Sequence, residues 1–157
     1  MAPIVLPPPD HPAWARAAAV ANALRARGER NPFIVAALAN AYAESAWTAV
    51  VAGDRDKSFG PWQINWVYGG VPILKATGID IRTETDLAKH VDALLWLLTS
   101  QPYKKIADLI DAAETGADAT RAFVIDFERA GANGAEERRV AIAPRIEVWL
   151  AKLFGEK

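Results

Sequence analysis

The run from Phe33 to Ala46 constrains the fold of this chain more than any other stretch. Phe33, Ala37, Leu38, Ala41, Tyr42 and Ser45 recur at spacings of three and four, the period of an α-helix. Six alanines in the run leave room for neighbouring elements to approach closely, so the spacing predicts a central, buried helix. Asn31-Pro32 reads as its start, with a capping side chain ahead of a proline at the first helical position. Such a helix needs partners, and further helical patterns supply them. They cover Pro12 to about Arg27, ending at Gly28, then 85–100, 102–113, 117–130 and 135–154. The last holds Pro144, where a kink or break is expected. Residues 50–66 instead carry β-type residues around turn formers, which predicts a small hairpin or irregular strands. Gly69-Gly70 and Pro72 mark a loop. Residues 1–11 form a Pro-rich extended arm, and no repeat or linker divides residues 12–157. The expected class is mainly α (α+β): one domain in two lobes, with a small β element.

Composition narrows the function by exclusion. At 157 residues the chain can bury a full core, and 52% hydrophobic with 24% charged residues is a globular balance, not a disordered one. A net charge of −1 supplies no basic field to recruit nucleic acid or an anionic membrane. No apolar run approaches ~20 residues without a charge, so no stable membrane insertion is expected. With no cysteine there is neither a disulfide framework nor a thiolate zinc site. His11 and His90 lie too far apart in sequence to suggest a metal centre, and no cofactor is expected. The first ten residues hold four prolines and no basic start, so they do not read as a Sec-type signal peptide. A chain of this kind acting outside the cytoplasm would need another route of delivery.

Chemistry concentrates between residues 44 and 68. Glu44 ends the central helix beside Tyr42, Ala43, Ala46 and Trp47, with no Lys or Arg within ten residues on either side. Apolar surroundings of that kind would suit a carboxyl that must hold a proton near neutral pH. A carboxylate at a helix C-terminus is otherwise unfavourably placed against the helix dipole. The acidic turn Gly53-Asp54-Arg55-Asp56 follows, then Ser58-Phe59-Gly60-Pro61-Trp62-Gln63-Ile64-Asn65. Gly60 permits a close approach or a backbone conformation that a side chain would block. Gln63 and Asn65 alternate on one face of an extended segment, where their amides suit sugar hydroxyls. Trp47, Trp62, Trp66 and Tyr68 are large plates that serve either the core or the stacking of a sugar ring.

Glu44-Ser45 followed at this distance by Ser58-x-Gly60-x-x-Gln63-Ile64-Asn65 resembles the lysozyme-like superfamily: soluble lytic transglycosylases, goose-type and animal lysozymes, and phage tail muramidases. The resemblance covers residues 33–66. It implies a helical lobe and a small β region flanking a cleft for peptidoglycan strands of alternating N-acetylglucosamine and N-acetylmuramic acid (GlcNAc and MurNAc). It also implies that Glu44 is the general acid for cleavage of the MurNAc–GlcNAc β-1,4 bond. Phe127-Glu128-Arg129-Ala130-Gly131 resembles a Phe-Glu element of some phage lysozymes, but Glu128 on a helix is more simply a solvated charge.

The second carboxylate is where the sequence departs from the animal lysozymes, which place an Asp directly before the aromatic-Gly pair. Ser58 stands there, as in the lytic transglycosylases, while Asp54 and Asp56 precede it. If Asp54 or Asp56 reaches the cleft, it can stabilise positive charge or activate water, giving a hydrolase. If neither does, Glu44 acts alone as acid then base. The muramic C6 hydroxyl then closes to a 1,6-anhydro product, with Ser58 holding the substrate. Asp56, Gln63, Asn65, Trp66 and Tyr68 are the expected substrate contacts. A non-enzymatic wall-binding module of the same fold is the competing class. A near-neutral charge and no evident export signal favour work within a phage tail or another wall-crossing assembly over free diffusion to an anionic wall.

Overall fold

In a computed structural model that describes residues 2–100, 102–124 and 134–156, the predicted central helix forms as α2, Asn31–Ser45. Every residue from Phe33 to Ala41 is buried, so α2 is covered on all sides instead of along one stripe. The neighbours are α1 (Ala13–Ala26), α5 (Lys104–Ala112), α6 (Gly116–Phe123) and α7 (Ala135–Leu153), with α6 and α7 lying most closely along it. Ala36, Ala37, Ala39 and Ala41 are fully buried, which is how the small side chains allow these helices to pack closely. Asn31 does not cap the helix. Its Oδ1 accepts from Arg25 at 3.1 Å, and its Nδ2 donates to Glu156 at 3.1 Å.

Two expectations are corrected. The stretch read as a loop at Gly69-Gly70 and Pro72 is a π-helical turn over Trp66–Gly70 that continues into α3, Val71–Thr77. Pro72 lies in the first turn, where its missing N–H costs nothing, and Gly78 ends the helix at φ 78°. The second correction concerns α7: of the kink or break expected at Pro144, the break does not occur, and the helix runs on from Ala135 to Leu153. Ile142, Ala143, Ile146 and Leu150 are buried on both sides of the proline, and that packing holds the helix together across the lost hydrogen bond. Of the helix read over 117–130, the part from 125 onward, with the 127–131 element and Glu128, lies outside the described residues.

Between α2 and the π-helical turn sits a three-stranded antiparallel sheet of two-residue strands, β1 (Ala52–Gly53), β2 (Ser58–Phe59) and β3 (Ile64–Asn65), in that order. Its register pairs Gly53 with Ser58 and Ser58 with Asn65. α4 (Leu87–Thr99) follows and packs against α1, α3 and α5. No helix is long and apolar enough to cross a membrane among the described residues.

Candidate active site

Glu44 occupies the last turn of α2, with its side chain 23% exposed. Its surroundings are not purely apolar. Arg139 of α7, 95 residues away in sequence, donates through Nη2 to Glu44 Oε1 at 2.5 Å. Through Nη1 the same guanidinium donates to Asn40 Oδ1 at 2.9 Å, and Asn40 Nδ2 donates to Ala36 O at 2.8 Å. Asn40 is fully buried and Arg139 nearly so. The result is a fixed cation at the end of α2, anchored one turn back in the same helix. A second guanidinium, Arg16 of α1, donates to Ala46 O at 3.1 Å. α2 carries no basic residue in its own last turn, so α1 and α7 supply the positive charge that its carbonyl end and Glu44 require.

Ser45 ties this helix end to the sheet region. Its hydroxyl lies 2.9 Å from both Ala41 O and Pro61 O, between which it shares its proton, and it accepts from Thr48 N at 3.2 Å. The chain then leaves the helix through Ala46 and Trp47, both left-handed at φ 51° and 61°. Left-handed backbone continues at Asp54, Arg55 and Asp56, and again at Gln63. Among the described residues, every non-glycine residue with positive φ falls between 46 and 63, around the candidate site. Strain of this kind persists only where surrounding structure enforces it, and it collects at functional sites. Gly60 is held at φ 82°, and a side chain there would press on the buried ring of His90 at 3.1 Å. The close approach expected of Gly60 is therefore to His90.

A cavity of about 590 Å³ opens beside the sheet, lined by Asp54, Ser58, Trp62, Gln63, Ile64, Asn65, Tyr68, Leu97, Pro102 and Tyr103. It gathers five of the expected site residues: Asp54, Ser58, Gln63, Asn65 and Tyr68. Asp54 is exposed at its rim, and Tyr68 stands 74% exposed. Ser58 is buried, with no partner for its hydroxyl among the described residues. Asp56, Trp66 and Glu44 are not among the lining residues. Glu44 is joined to the cavity through Ser45 and Pro61, the residue before Trp62.

The side chains read as sugar contacts have other attachments as well. Gln63 is not extended. It turns at φ 49° and donates to Gly60 O at 3.0 Å and Val51 O at 3.3 Å, which holds the β2–β3 turn closed. Asn65 Oδ1 accepts from Tyr68 N at 3.1 Å and starts the π-helical turn. Trp47 and Trp62 belong to the core, their indole N–H groups donating to Leu38 O and Ala37 O at 2.9 and 3.0 Å. The Trp66 ring lies under the Arg82 guanidinium at 3.8 Å and is no bare plate. Tyr68 is the exposed aromatic at this cavity.

Sequence reasoning passed over Arg139, Asn40 and Arg16. A signal for the first was present: Arg139 falls on the same helical stripe as Ala135, Ile142, Ala143 and Ile146, where a charge demands a buried partner. Among the described residues, no cluster of His, Cys, Asp or Glu is arranged to hold a metal.

The family model described as phage tail lysozyme matches residues 15–150. That span contains α2, the sheet and Arg139, so both members of the Glu44–Arg139 pair lie inside it. No curated protein and no solved structure matches the chain. The mainly helical architecture with its small antiparallel sheet is the lysozyme-like one expected from residues 33–66. At family level the activity is that of a lysozyme-like cell-wall glycosidase, with peptidoglycan as the substrate class. The chain belongs to the phage tail lysozyme family.

Proposed function

We propose that the protein is a muramidase that cuts the MurNAc–GlcNAc β-1,4 bond of peptidoglycan, with Glu44 as general acid. The observation that carries this reading is the anchoring of Glu44. A half-buried carboxylate at a helix end is gripped on Oε1 by a buried guanidinium and tied through Ser45 to the wall of a polar cavity. Cleavage requires Glu44 to give a proton to the departing sugar oxygen. Oε2, which has no protein partner among the described residues, is the oxygen free to do so.

Asp54 is the better second carboxylate, since it lines the cavity and Asp56 does not. Facing the developing positive charge, it would stabilise an oxocarbenium-like centre or direct a water to it. The unpartnered Ser58 hydroxyl on the same cavity favours one second reading, a lytic transglycosylase in which Ser58 holds the muramic residue and Glu44 acts twice. Delivery within a phage tail accords with the family description and with a net charge of −1, which gives little attraction to an anionic wall.

The test is turnover on purified sacculi. Glu44→Gln is expected to lose roughly 10²–10⁴-fold in rate, the range for removing a general acid, while its melting curve still shows a folded protein. Undiminished clearing by that variant would remove Glu44 from the mechanism. Mass spectrometry of the released muropeptides then separates the two chemistries. Reducing MurNAc ends that disappear in Asp54→Asn support the hydrolase, and 1,6-anhydro ends that survive it support the transglycosylase.

A further inference from the structure

The α7 face turned away from the core forms one wall of a groove that the catalytic reading does not use. The other wall is the N-terminal arm, pinned by Tyr42 Oη donating to Val5 O at 2.7 Å and by Trp14 Nε1 donating to Pro8 O at 3.0 Å and Pro7 O at 3.2 Å. Two adjoining hollows lie along it and share Arg145. One, of about 410 Å³, is lined by Pro3, Ile4, Arg138 and Ala141 among others. The second, of about 590 Å³, includes Leu6, Trp14, Val148, Trp149 and Lys152. The floor of the second is apolar and firm: Trp14 and Trp149 pack with ring centroids 4.8 Å apart, while Val148 stands 59% exposed.

The cations along the groove are regularly placed. Arg138, Arg145 and Lys152 lie seven residues apart on one helix, so they fall on one edge at intervals of about 10.5 Å and span about 21 Å. Arg145 and Lys152 have no ion pair among the described residues, whereas Arg25, Arg27, Arg82, Arg121 and Arg139 each contact a carboxylate. Glu137, beside Arg138, is the single acid among the described lining residues. An elongated apolar trough edged by cations at heptad spacing matches a helix with an apolar stripe and carboxylates repeating every two turns. Glycan strands fit it poorly, because few hydrogen-bonding groups line it and the Trp14 N–H is spent on the arm.

We propose that this groove docks an acidic amphipathic helix of a partner protein, on the face that carries Arg145 and Lys152 and apart from the Ser45–Pro61 seam. The proposal does not depend on the chemistry assigned to Glu44. The experiment measures fluorescence anisotropy of a labelled synthetic helix of several heptads, leucine on its apolar stripe and glutamate at its flanks. A control peptide carries lysine in place of glutamate. The acidic peptide is expected to bind and to weaken with added salt. The double variant Arg145→Glu/Lys152→Glu is expected to lose about tenfold in affinity, the scale of reversing two exposed ion pairs. Val148→Asp is expected to lose binding, and all variants keep wild-type melting temperature and sacculus clearing. Equal binding of the two peptides, no effect of the charge reversal, or displacement of the acidic peptide by soluble glycan fragments would each overturn the proposal.

Discussion

The α2–α7 lobe and the small sheet are held by different means, and the candidate acid sits where they meet. Nine consecutive residues of α2, Phe33 to Ala41, are buried among other helices, so its position follows from packing over a large apolar area. β1, β2 and β3 have two residues each and could not hold together alone. Their shape comes from left-handed residues at 54–56 and 63, from Gly60 against His90, and from side chains that bond to the backbone, such as Gln63 and Ser45. The helical side therefore supplies a rigid seat and a buried cation. The sheet side supplies strained backbone that turns polar groups into a cavity. Damage to the first should appear as lost stability, and damage to the second as lost activity in a protein that still folds.

The largest expected effect breaks the helical side. Arg139→Met removes the one cation shared by Asn40 and Glu44 and leaves both in largely buried surroundings without it. Uncoupling a buried pair in this way costs about 3–5 kcal/mol. Arg139→Lys should recover only part of this, because an ammonium cannot reach both partners with a planar fork. Urea unfolding midpoints measure it. A methionine variant as stable as wild type would mean that α2 and α7 are held by apolar contact alone, and the contrast between the two regions would then lie elsewhere.

That pair also marks where the sequence stops being readable. Periodicity exposed α1, α4 and α5 because each buries a face that repeats every three or four residues, and α2 because its larger side chains keep that spacing although the helix is covered all round. α3 was hidden because Gly69, Gly70, Pro72 and Gly78 look like breakers, and only the chain's geometry shows Pro72 in a first turn and Gly78 at a helix end. Strands of two residues carry no periodicity, so the register of 52–65 could not be read, and Gln63, expected on an extended segment, turns at φ 49° instead. At the site, residues close in sequence were legible: Asp54, Ser58, Gln63, Asn65 and Tyr68 do share one cavity. The Arg139–Glu44 contact spans 95 residues, and a local search around Glu44 finds no cation because packing brings it from another helix. Gln63, expected as a contact for sugar, lines that cavity and also braces its own turn.

A smaller change sharpens the comparison at the seam itself. Ser45→Ala loses the hydroxyl that bridges Ala41 O and Pro61 O and removes the acceptor for Thr48 N. Net stability should fall by about 1 kcal/mol, typical of a lost neutral hydrogen bond. Activity should fall further, on the order of ten- to a hundred-fold, since small displacements of a catalytic group cost rate out of proportion to stability. Clearing rates and melting curves measured on one preparation would compare the two. If activity falls only by the fraction of protein unfolded, Ser45 is a structural tie and nothing more.

The subtlest effect probes how the sheet leans on the helices, through His90 of α4. Burial pushes the His90 pKa below its usual 6.5, against a smaller raising influence from the Glu84 carbonyl and the Glu84 and Asp86 charges. A carbonyl can only accept, so Nε2 carries the ring proton and donates to Glu84 O at 2.7 Å, leaving Nδ1 on the side of Gly60. Above pH 6.5 both folded and unfolded chains hold a neutral ring, and His90 gives no pH dependence. Below it the unfolded chain takes up a proton that the folded chain refuses, so stability falls as pH drops, until the buried ring itself protonates. Two carboxylates separate from this window. Asp80 and Glu156, lowered by Arg82 and Arg25, act only at more acid pH, while Glu29 and Asp111, raised by burial, push the other way. Melting temperatures between pH 7.5 and 5 should therefore slope downward in wild type. In His90→Gln they should run flatter from a lower starting value. A wild-type slope that survives the substitution would assign the acid sensitivity to other groups, and the contact between Gly60 and His90 would then be one of shape alone.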